Sequence, residues 1–166
     1  RGGLTAGRVD PDNALLPYET ADILHKCHPY TGSATLIWVS RDGEEDVLWE
    51  PFNNHGSRPN VTRNLYKSVA GNRVIFEEVQ HDLGLTFRYQ WAGCDRFGFV
   101  RSARLTAHAD TNATRVERLD GVLNLIPSGL TLAVMQQFSC LTNAYSRVEI
   151  DADSRLTVYA MSSLLV

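Results

Sequence analysis

The chain has 166 residues, of which 43% are hydrophobic and 21% are charged, and its formal net charge is −3. This length suits one ordinary domain, and the composition is that of a globular protein, which excludes a disordered chain. The sequence has no basic stripe and no apolar run near the ~20 residues that span a bilayer, so we expect neither a nucleic-acid nor a membrane partner.

The first 32 residues are rich in Gly, Pro, Asp and Asn and have no sustained periodicity. They predict an extended leader, residues 1–32, with at most a short helical turn at Thr20–Lys26. The remaining segment, residues 33–166, predicts one β domain. Its last segment, Ser162–Val166, is apolar and has no closing turn, so we expect the parent protein to continue beyond it.

The β domain begins with a strand that is apolar on both faces, Ser33–Ser40, which predicts burial on both sides. Arg41–Gly43 form a turn signal, and the hairpin returns through Glu45–Glu50. Pro51–Gly71 contain several Pro and Gly residues and predict a loop. Asn72–Val79 predict the next strand.

The strictest alternation of apolar and polar residues lies in Leu83–Trp91, which predicts a strand with one face on a core. Two further strands are predicted at Phe97–His108 and Ala113–Asp120. Asp120 and Gly121 indicate a turn, with a short strand after it at Val122–Ile126.

Near the C-terminus the apolar period changes from two residues to three or four. Ser128 is a candidate cap for a helix over Gly129–Tyr145, whose apolar face would consist of Leu130, Val134, Phe138 and Leu141. A final hairpin pairs Ser146–Asp151 with Arg155–Ser162. The predicted fold is a mostly β, antiparallel β-sandwich with one helix near the C-terminus, and a fragment of a larger sandwich.

The three cysteines, Cys27, Cys94 and Cys140, are far apart and odd in number, which favours reduced thiols in a reducing compartment. We therefore expect a cytoplasmic protein. His25, Cys27 and His28 are close together, but a structural zinc site needs a second ligand pair, and the sequence has none. The sequence predicts no metal and no cofactor.

The sequence carries no recognisable catalytic signature, and its paired acids do not replace one. Glu77 and Glu78 are adjacent in a predicted strand, so their side chains point to opposite faces and would not converge on one sugar. His81 and Asp82 lie at a tight connection and favour a turn over acid–base chemistry. We predict no catalytic residue in this chain.

The tryptophans are the candidate sugar-stacking residues, although aromatic side chains also dominate sandwich cores. Trp38 and Trp91 lie on strand faces that predict burial. Trp49 lies at a strand–loop junction, where binding residues are common. The predicted ligand or inter-domain contacts are Trp49, Phe52, Asn54 and Arg58. The alternative is that the polar loop after Phe52 is simply solvated.

The segment 116–129 (VERLDGVLNLIPSG), together with Gln136, Gln137, 143–145 and Glu149, resembles large glycoside phosphorylases and cyclic glucan synthases. The upstream residues 64–66, 71–72, 76–77 and 82–89 resemble the N-terminal β-sandwich of the same proteins, and the similarity spans about residues 33–166. That sandwich is related to galactose-mutarotase-like folds, and it precedes an α/α-barrel that holds the catalytic acid. The resemblance implies a helper domain that packs on the barrel, shapes the rim of its active site and sometimes assists dimerisation. Since no barrel is present, none of the family's catalytic residues maps onto this chain.

The leading functional hypothesis is a non-catalytic β-sandwich domain of a glycoside phosphorylase or hydrolase-like enzyme acting on oligosaccharides. One alternative is a self-standing carbohydrate-binding module. Another is a structural assembly domain without sugar affinity, which would pair through an exposed strand edge. The expected partners are an oligosaccharide, a downstream catalytic domain, or a second copy in a homodimer.

Overall fold

The computed structural model describes residues 3–7, 10, 14–18, 20, 22, 23, 26, 30–53, 60–127, 130–144, 146–154 and 156–161. The fold is mostly β with antiparallel sheets, and it is sandwich-like, which confirms the predicted fold class. The strands are β1 (Gly32–Arg41), β2 (Val47–Trp49), β3 (Val61–Lys67), β4 (Arg73–Gln80), β5 (Leu85–Cys94), β6 (Gly98–Ala107), β7 (Ala113–Leu123), β8 (Ser146–Asp151) and β9 (Leu156–Met161). The helices are α1 (Leu132–Gln137) and α2 (Ser139–Ala144), with a 3₁₀ turn at His81–Leu83.

The described residues fall into two compact units. One unit is Ser33–Gly121, and the other combines Gly3–Gly32 with Val122–Val166. The first contains a three-stranded sheet in the order β2-β1-β7 and a four-stranded sheet in the order β3-β4-β5-β6. The hairpin of β8 and β9 belongs to the second.

The core of the first unit is an aromatic layer on the inner face of the four-stranded sheet. Leu85, Phe87, Tyr89 and Trp91 alternate along β5, and each is at most 7% exposed, which confirms the alternation predicted there. Tyr89 stacks on its cross-strand partner Phe76 with ring centroids 4.8 Å apart. Burial of each such side chain contributes about 1.5–3 kcal/mol.

The three-stranded sheet supplies the opposite half of this layer through Ile37, Val39 and Trp49, which are at most 2% exposed. Strand β1 is nevertheless buried on one face only. Trp38 lies on the other face of β1 and is 40% exposed, and its cross-strand partner Leu48 is 48% exposed. The prediction that β1 and Trp38 are buried on both sides is therefore wrong.

One strand lies where the sequence predicted a loop. Within Pro51–Gly71, β3 pairs along its whole length with β4, from Val61↔Gln80 to Lys67↔Val74. Five of the seven residues of this edge strand are exposed, and its apolar residues do not alternate with polar ones, so the sequence pattern does not reveal it. The stability of β3 comes from its ladder with β4.

The predicted turn at Asp120 and Gly121 is also wrong, because β7 continues through both residues. Arg101 donates two hydrogen bonds to the Asp120 carboxylate, of 2.7 and 2.9 Å, and Thr35 donates a third of 2.7 Å. The carboxylate is thus bound by neighbouring strands, and it does not cap a turn of its own.

The single predicted helix over Gly129–Tyr145 is replaced by two six-residue helices that break at Phe138, whose φ and ψ are −118° and 36°. Thr131 caps α1 by accepting a hydrogen bond from the Val134 N–H, and the predicted cap Ser128 lies outside the described residues. Val134, Phe138 and Leu141 stay 37–47% exposed. Because these three apolar side chains are not buried, their packing does not hold the two segments in one helix, and the weak helix formers of α2 do not sustain it.

The remaining features of the second unit agree with the sequence more closely. The β8–β9 hairpin is confirmed, and Asp151 accepts hydrogen bonds in its turn from Asp153 N–H and the Ser154 hydroxyl. Backbone hydrogen bonds join Ile23 to Thr20 and Lys26 to Ile23. Within the described part of the chain, no helix has the length and apolarity needed to cross a membrane.

Candidate binding groove on the four-stranded sheet

The outer face of the four-stranded sheet is polar because the same alternation that buries one face of β5 turns Thr86, Arg88 and Gln90 the other way. These three residues of β5 lie directly opposite three polar residues of β6 on the same face of the sheet. The three pairs are Thr86–Thr106, Arg88–Arg104 and Gln90–Ser102. We call these six residues the polar ladder. Each cross-strand pair, or rung, of the polar ladder has two side chains that can form hydrogen bonds.

Glu77 lies on this face beside the polar ladder, with only 6% of its surface exposed. Its Oε1 accepts hydrogen bonds of 3.0 Å from the Asn64 amide and from the Tyr66 hydroxyl. Its Oε2 is paired with the Arg88 guanidinium, with 2.8 Å from Nε. Its direct cross-strand partners are Asn64 on β3 and Arg88 on β5, the two strands on either side of β4.

These contacts set the charge of Glu77. Burial alone would raise the pKa of this carboxyl, but the hydrogen bonds from Asn64, Arg88 and Tyr66 and the positive charge of Arg88 outweigh it and hold the pKa below its ordinary value. The same bond acts in the opposite direction on Tyr66. Donation to a carboxylate, with some desolvation, raises the pKa of the phenol. Glu77 is thus a fixed anion that orients its donors.

Two adjoining grooves follow the polar ladder, and both are lined by Arg88 and Arg104. The larger has a volume of 470 Å³ and extends over Arg73, Ile75, Gln90 and Ser102. The smaller has a volume of 250 Å³ and extends over Glu77, Thr86 and Thr106. Together they form an open, polar surface on which planar and hydroxyl donors face solvent.

Three arginines, Arg73, Arg88 and Arg104, line these grooves against one carboxylate, that of Glu77. Arg88 is held twice, by Glu77 and by the Tyr66 ring, whose centroid lies 5.7 Å from its guanidinium carbon. Within the described part of the chain, neither Arg73 nor Arg104 has a side-chain ion pair. The groove therefore carries an excess of positive charge.

The inner face of β4 has a different carboxylate at its centre, Glu78, which is 2% exposed. It accepts hydrogen bonds from Trp49 Nε1 at 2.8 Å, from the Phe52 backbone N–H at 2.7 Å and from Arg63 Nε at 2.7 Å. Arg63 also donates to the Asn53 carbonyl. These hydrogen bonds to Glu78 hold the segment that follows β2 against the four-stranded sheet.

Two of the four predicted contact residues lie in this inner network. Trp49 and Phe52 are 2% and 5% exposed, and the Phe52 ring packs edge-on against Phe76 and Tyr89. Their positions hold the core together, and they present no aromatic face to solvent. Asn54 and Arg58 lie outside the described residues, so a ligand or inter-domain contact through this loop stays a prediction.

The other polar residues singled out from the sequence have local partners. His81 Nε2 and the Thr62 hydroxyl are 2.8 Å apart, and Asn60 donates to Asp82 at 2.7 Å, so both residues of this pair hold the start of β3. Cys94 and Cys140 are free thiols. Among the described residues no three His, Cys, Asp or Glu side chains are grouped as a metal site, and His25, Cys27 and His28 fall outside them.

Sequence reasoning did not select the groove residues, although it found part of their pattern. The polar face of β5 and the alternation of arginines with apolar residues were both visible, and they indicated solvated strand faces. What was missing was the register that places Arg88 beside both Glu77 and Arg104. A register counted from the turn at 95–97 would have supplied the Arg88–Arg104 pair, and one counted from the connection at 81–84 would have supplied the Glu77–Arg88 pair.

Comparison with known proteins adds no identification. No protein-family model matches the chain, and no curated protein is a significant match to it.

Proposed function

We propose that this chain is a non-catalytic β-sandwich domain of a glycoside phosphorylase or hydrolase-like enzyme, and that it binds an oligosaccharide along the polar ladder. The observation that carries the proposal is the pair of adjoining grooves, of 470 and 250 Å³, on the outer face of the four-stranded sheet. Sugars present hydroxyl groups in fixed directions, and arginine, amide and hydroxyl side chains on rigid strands match them.

The preorganisation of the groove supports this proposal. Arg88 is oriented by the Glu77 carboxylate and by the Tyr66 ring, so little side-chain freedom is lost when a ligand binds it. Tyr66 is itself 45% exposed at the groove margin. Its exposed part therefore adds aromatic surface beside the hydrogen-bonding groups of the groove.

The arrangement of the acids supports a non-catalytic role. Glycoside hydrolysis uses two carboxyl groups about 5–10 Å apart on either side of one bond. Glu77 and Glu78 lie on opposite faces of β4, and each accepts hydrogen bonds from three different residues. Neither is placed to protonate or attack a sugar bound at the other.

The outer face of the three-stranded sheet supports packing against a second domain. Trp38 and Leu48 are cross-strand partners there and are 40% and 48% exposed. A contiguous exposed apolar pair on a sheet face can be buried against a second domain. We propose that this face contacts the catalytic domain of the parent enzyme, while the polar ladder stays open to the sugar.

The test is calorimetric titration of the chain with β-linked gluco-oligosaccharides. Gln90→Ala removes one rung of the polar ladder and should weaken binding about tenfold. Trp38→Leu is the matched control on the other sheet, and it should bind like the parent chain. If binding survives Gln90→Ala and disappears in Trp38→Leu, the sugar binds the three-stranded sheet, and the proposed groove on the four-stranded sheet is overturned.

A further inference from the structure

The arrangement of charge in the groove points to a narrower class of ligand than oligosaccharides in general, and this step rests on the proposed function. Arg88 and Arg104 are direct partners on neighbouring strands, with side chains on the same face. Side chains so placed start about 5 Å apart at Cβ. Two like charges directly opposite each other destabilise a sheet, so an anion bound between them would stabilise this pair.

Glu77 compensates only part of that charge. Both of its bonds to an arginine go to Arg88, through Nε and Nη2. Arg104 lines both grooves and is exposed. Arg73, at the far end of the larger groove, adds a further positive charge. Among the described lining residues three arginines face one carboxylate, so one negative charge on a ligand would offset half of the excess positive charge and two would neutralise it.

The rungs on either side of the arginine pair carry neutral hydrogen-bonding groups. Thr86 and Thr106 lie one rung away in one direction, and Gln90 and Ser102 lie one rung away in the other. A ligand whose charged group lies between Arg88 and Arg104 would therefore place neutral polar groups over both neighbouring rungs. That is the chemistry of a charged sugar within a chain of hydroxyl-bearing sugars.

We infer that Arg88 and Arg104 form a subsite for the oxyanion of an acidic saccharide, a carboxylate or a phosphate group carried on a sugar. Guanidinium groups bind both oxyanions through paired N–H donors. Glu77 is a positioning residue in this subsite because its hydrogen bonds with Arg88 Nε and Nη2 fix the plane of the guanidinium.

The experiment compares matched ligands by calorimetry at low salt. The ligands are a β-linked gluco-oligosaccharide, the same oligosaccharide with its primary hydroxyls oxidised to carboxylates, its phosphorylated counterpart, and inorganic phosphate alone. We expect at least one charged oligosaccharide to bind about tenfold tighter than the neutral one. The preference should shrink as salt is raised. Whether the carboxylate or the phosphate form binds tighter identifies the oxyanion.

The variants separate charge from structure. In Arg104→Gln the charged and the neutral oligosaccharide should bind with about equal affinity, and the affinity for the neutral one should change by less than about twofold. Arg104→Lys should keep part of the preference for the charged oligosaccharide, because its positive charge remains. Arg115→Gln is the matched control, because Arg115 is exposed on β7 in the other sheet and pairs only with Glu117 among the described residues. It should change nothing.

The outcomes distinguish the two proposals. Equal affinity for neutral and charged oligosaccharides would overturn the acidic subsite and leave sugar binding intact. A charge preference that persists in Arg104→Gln would also overturn the subsite. No binding of any sugar by a folded chain, with or without binding of inorganic phosphate, would overturn both.

Discussion

The indole N–H of Trp49 donates a 2.8 Å hydrogen bond to the carboxylate of Glu78, and both side chains are 2% exposed. The bond joins β2 of one sheet to β4 of the other. A buried carboxylate is stable only when its oxygens are matched by donors. Here Trp49, Phe52 and Arg63 supply them, so the network is a structural tie between the two layers of the sandwich.

Replacement of Glu78 should therefore destabilise the first unit. We expect Glu78→Gln to lower the free energy of unfolding by about 2–3 kcal/mol, because it removes the negative charge beside the Arg63 guanidinium and turns an amide N–H₂ toward existing donors. Urea unfolding followed by tryptophan fluorescence measures the change. Glu44→Gln removes the ion pair between the half-exposed Glu44 and Arg41 and should cost less than about 1 kcal/mol. Equal effects of the two variants would contradict the structural role of Glu78.

The Arg101–Asp120 pair should make stability depend on pH. Burial raises the pKa of Asp120, but the hydrogen bonds from Arg101 and Thr35 and the charges of Arg101 and Arg118 hold it below its ordinary 3.8. A carboxyl with a lower pKa in the folded state contributes stability above its unfolded pKa, and that contribution is lost as pH falls through the folded pKa. The loss therefore begins near pH 4 and continues below it.

Asp120→Asn should remove this part of the pH dependence. Unfolding free energies measured between pH 7 and pH 3 should fall less steeply at the acid end in the variant than in the parent chain, although the variant is less stable at pH 7. A variant with the parent's slope below pH 4 would show that another carboxyl carries the effect.

Gly84 should not tolerate a side chain. Its φ is 58°, and a Cβ added there would lie 2.7 Å from Thr111 Cα and 2.8 Å from Thr111 N, both of them backbone atoms. Gly98 has a similar φ of 69° with nothing within 4 Å of the added atom, so Gly98→Ala is a control for backbone strain alone, at about 1–2 kcal/mol. We expect Gly84→Ala to cost about 1–3 kcal/mol more by urea unfolding. If Gly84→Ala and Gly98→Ala lower the free energy of unfolding equally, only the positive φ matters and the contact with Thr111 does not.

Tyr66 should report on Glu77 by its ionisation. The hydrogen bond to the carboxylate raises the pKa of Tyr66 above its ordinary value of 10.0. Ultraviolet titration of the chain, with that of Tyr66→Phe subtracted, isolates this phenol. In the Glu77→Gln background its pKa should fall back toward 10.0, because the negative acceptor is gone. An unchanged midpoint would mean that Tyr66 does not donate to Glu77.

The sequence predicted most of the strands, and it did so most clearly where a core enforces the alternation. In β5 the alternation is strict because every second residue enters the aromatic layer, and the prediction is confirmed. It failed at β3, where pairing with β4 defines the strand and few side chains are buried. It also failed at α1 and α2, where helical spacing of Val134, Phe138 and Leu141 was present without a surface to bury it.

The candidate site was harder to predict for a related reason. That Glu77 and Glu78 point to opposite faces follows from their adjacency in a strand, and the register agrees. The polar ladder, in contrast, exists only once β5 and β6 are aligned residue by residue. The position of Trp49 at a strand end suggested a ligand contact, but its burial depends on Glu78, which is 29 residues away in the sequence. Local pattern carries no information on such a partner.

Strand β4 has one further property that follows from its two acids. Glu78 is aligned with Arg63 on β3 and points inward, whereas Glu77 is aligned with Arg88 on β5 and points outward. A slip of one residue against either neighbour would exchange the faces of both carboxylates at once, so it would separate each from its arginine and drive Glu77 into the aromatic layer. The two ion pairs thus lie on opposite faces of one strand, and both favour the native register of β4 over a register shifted by one residue.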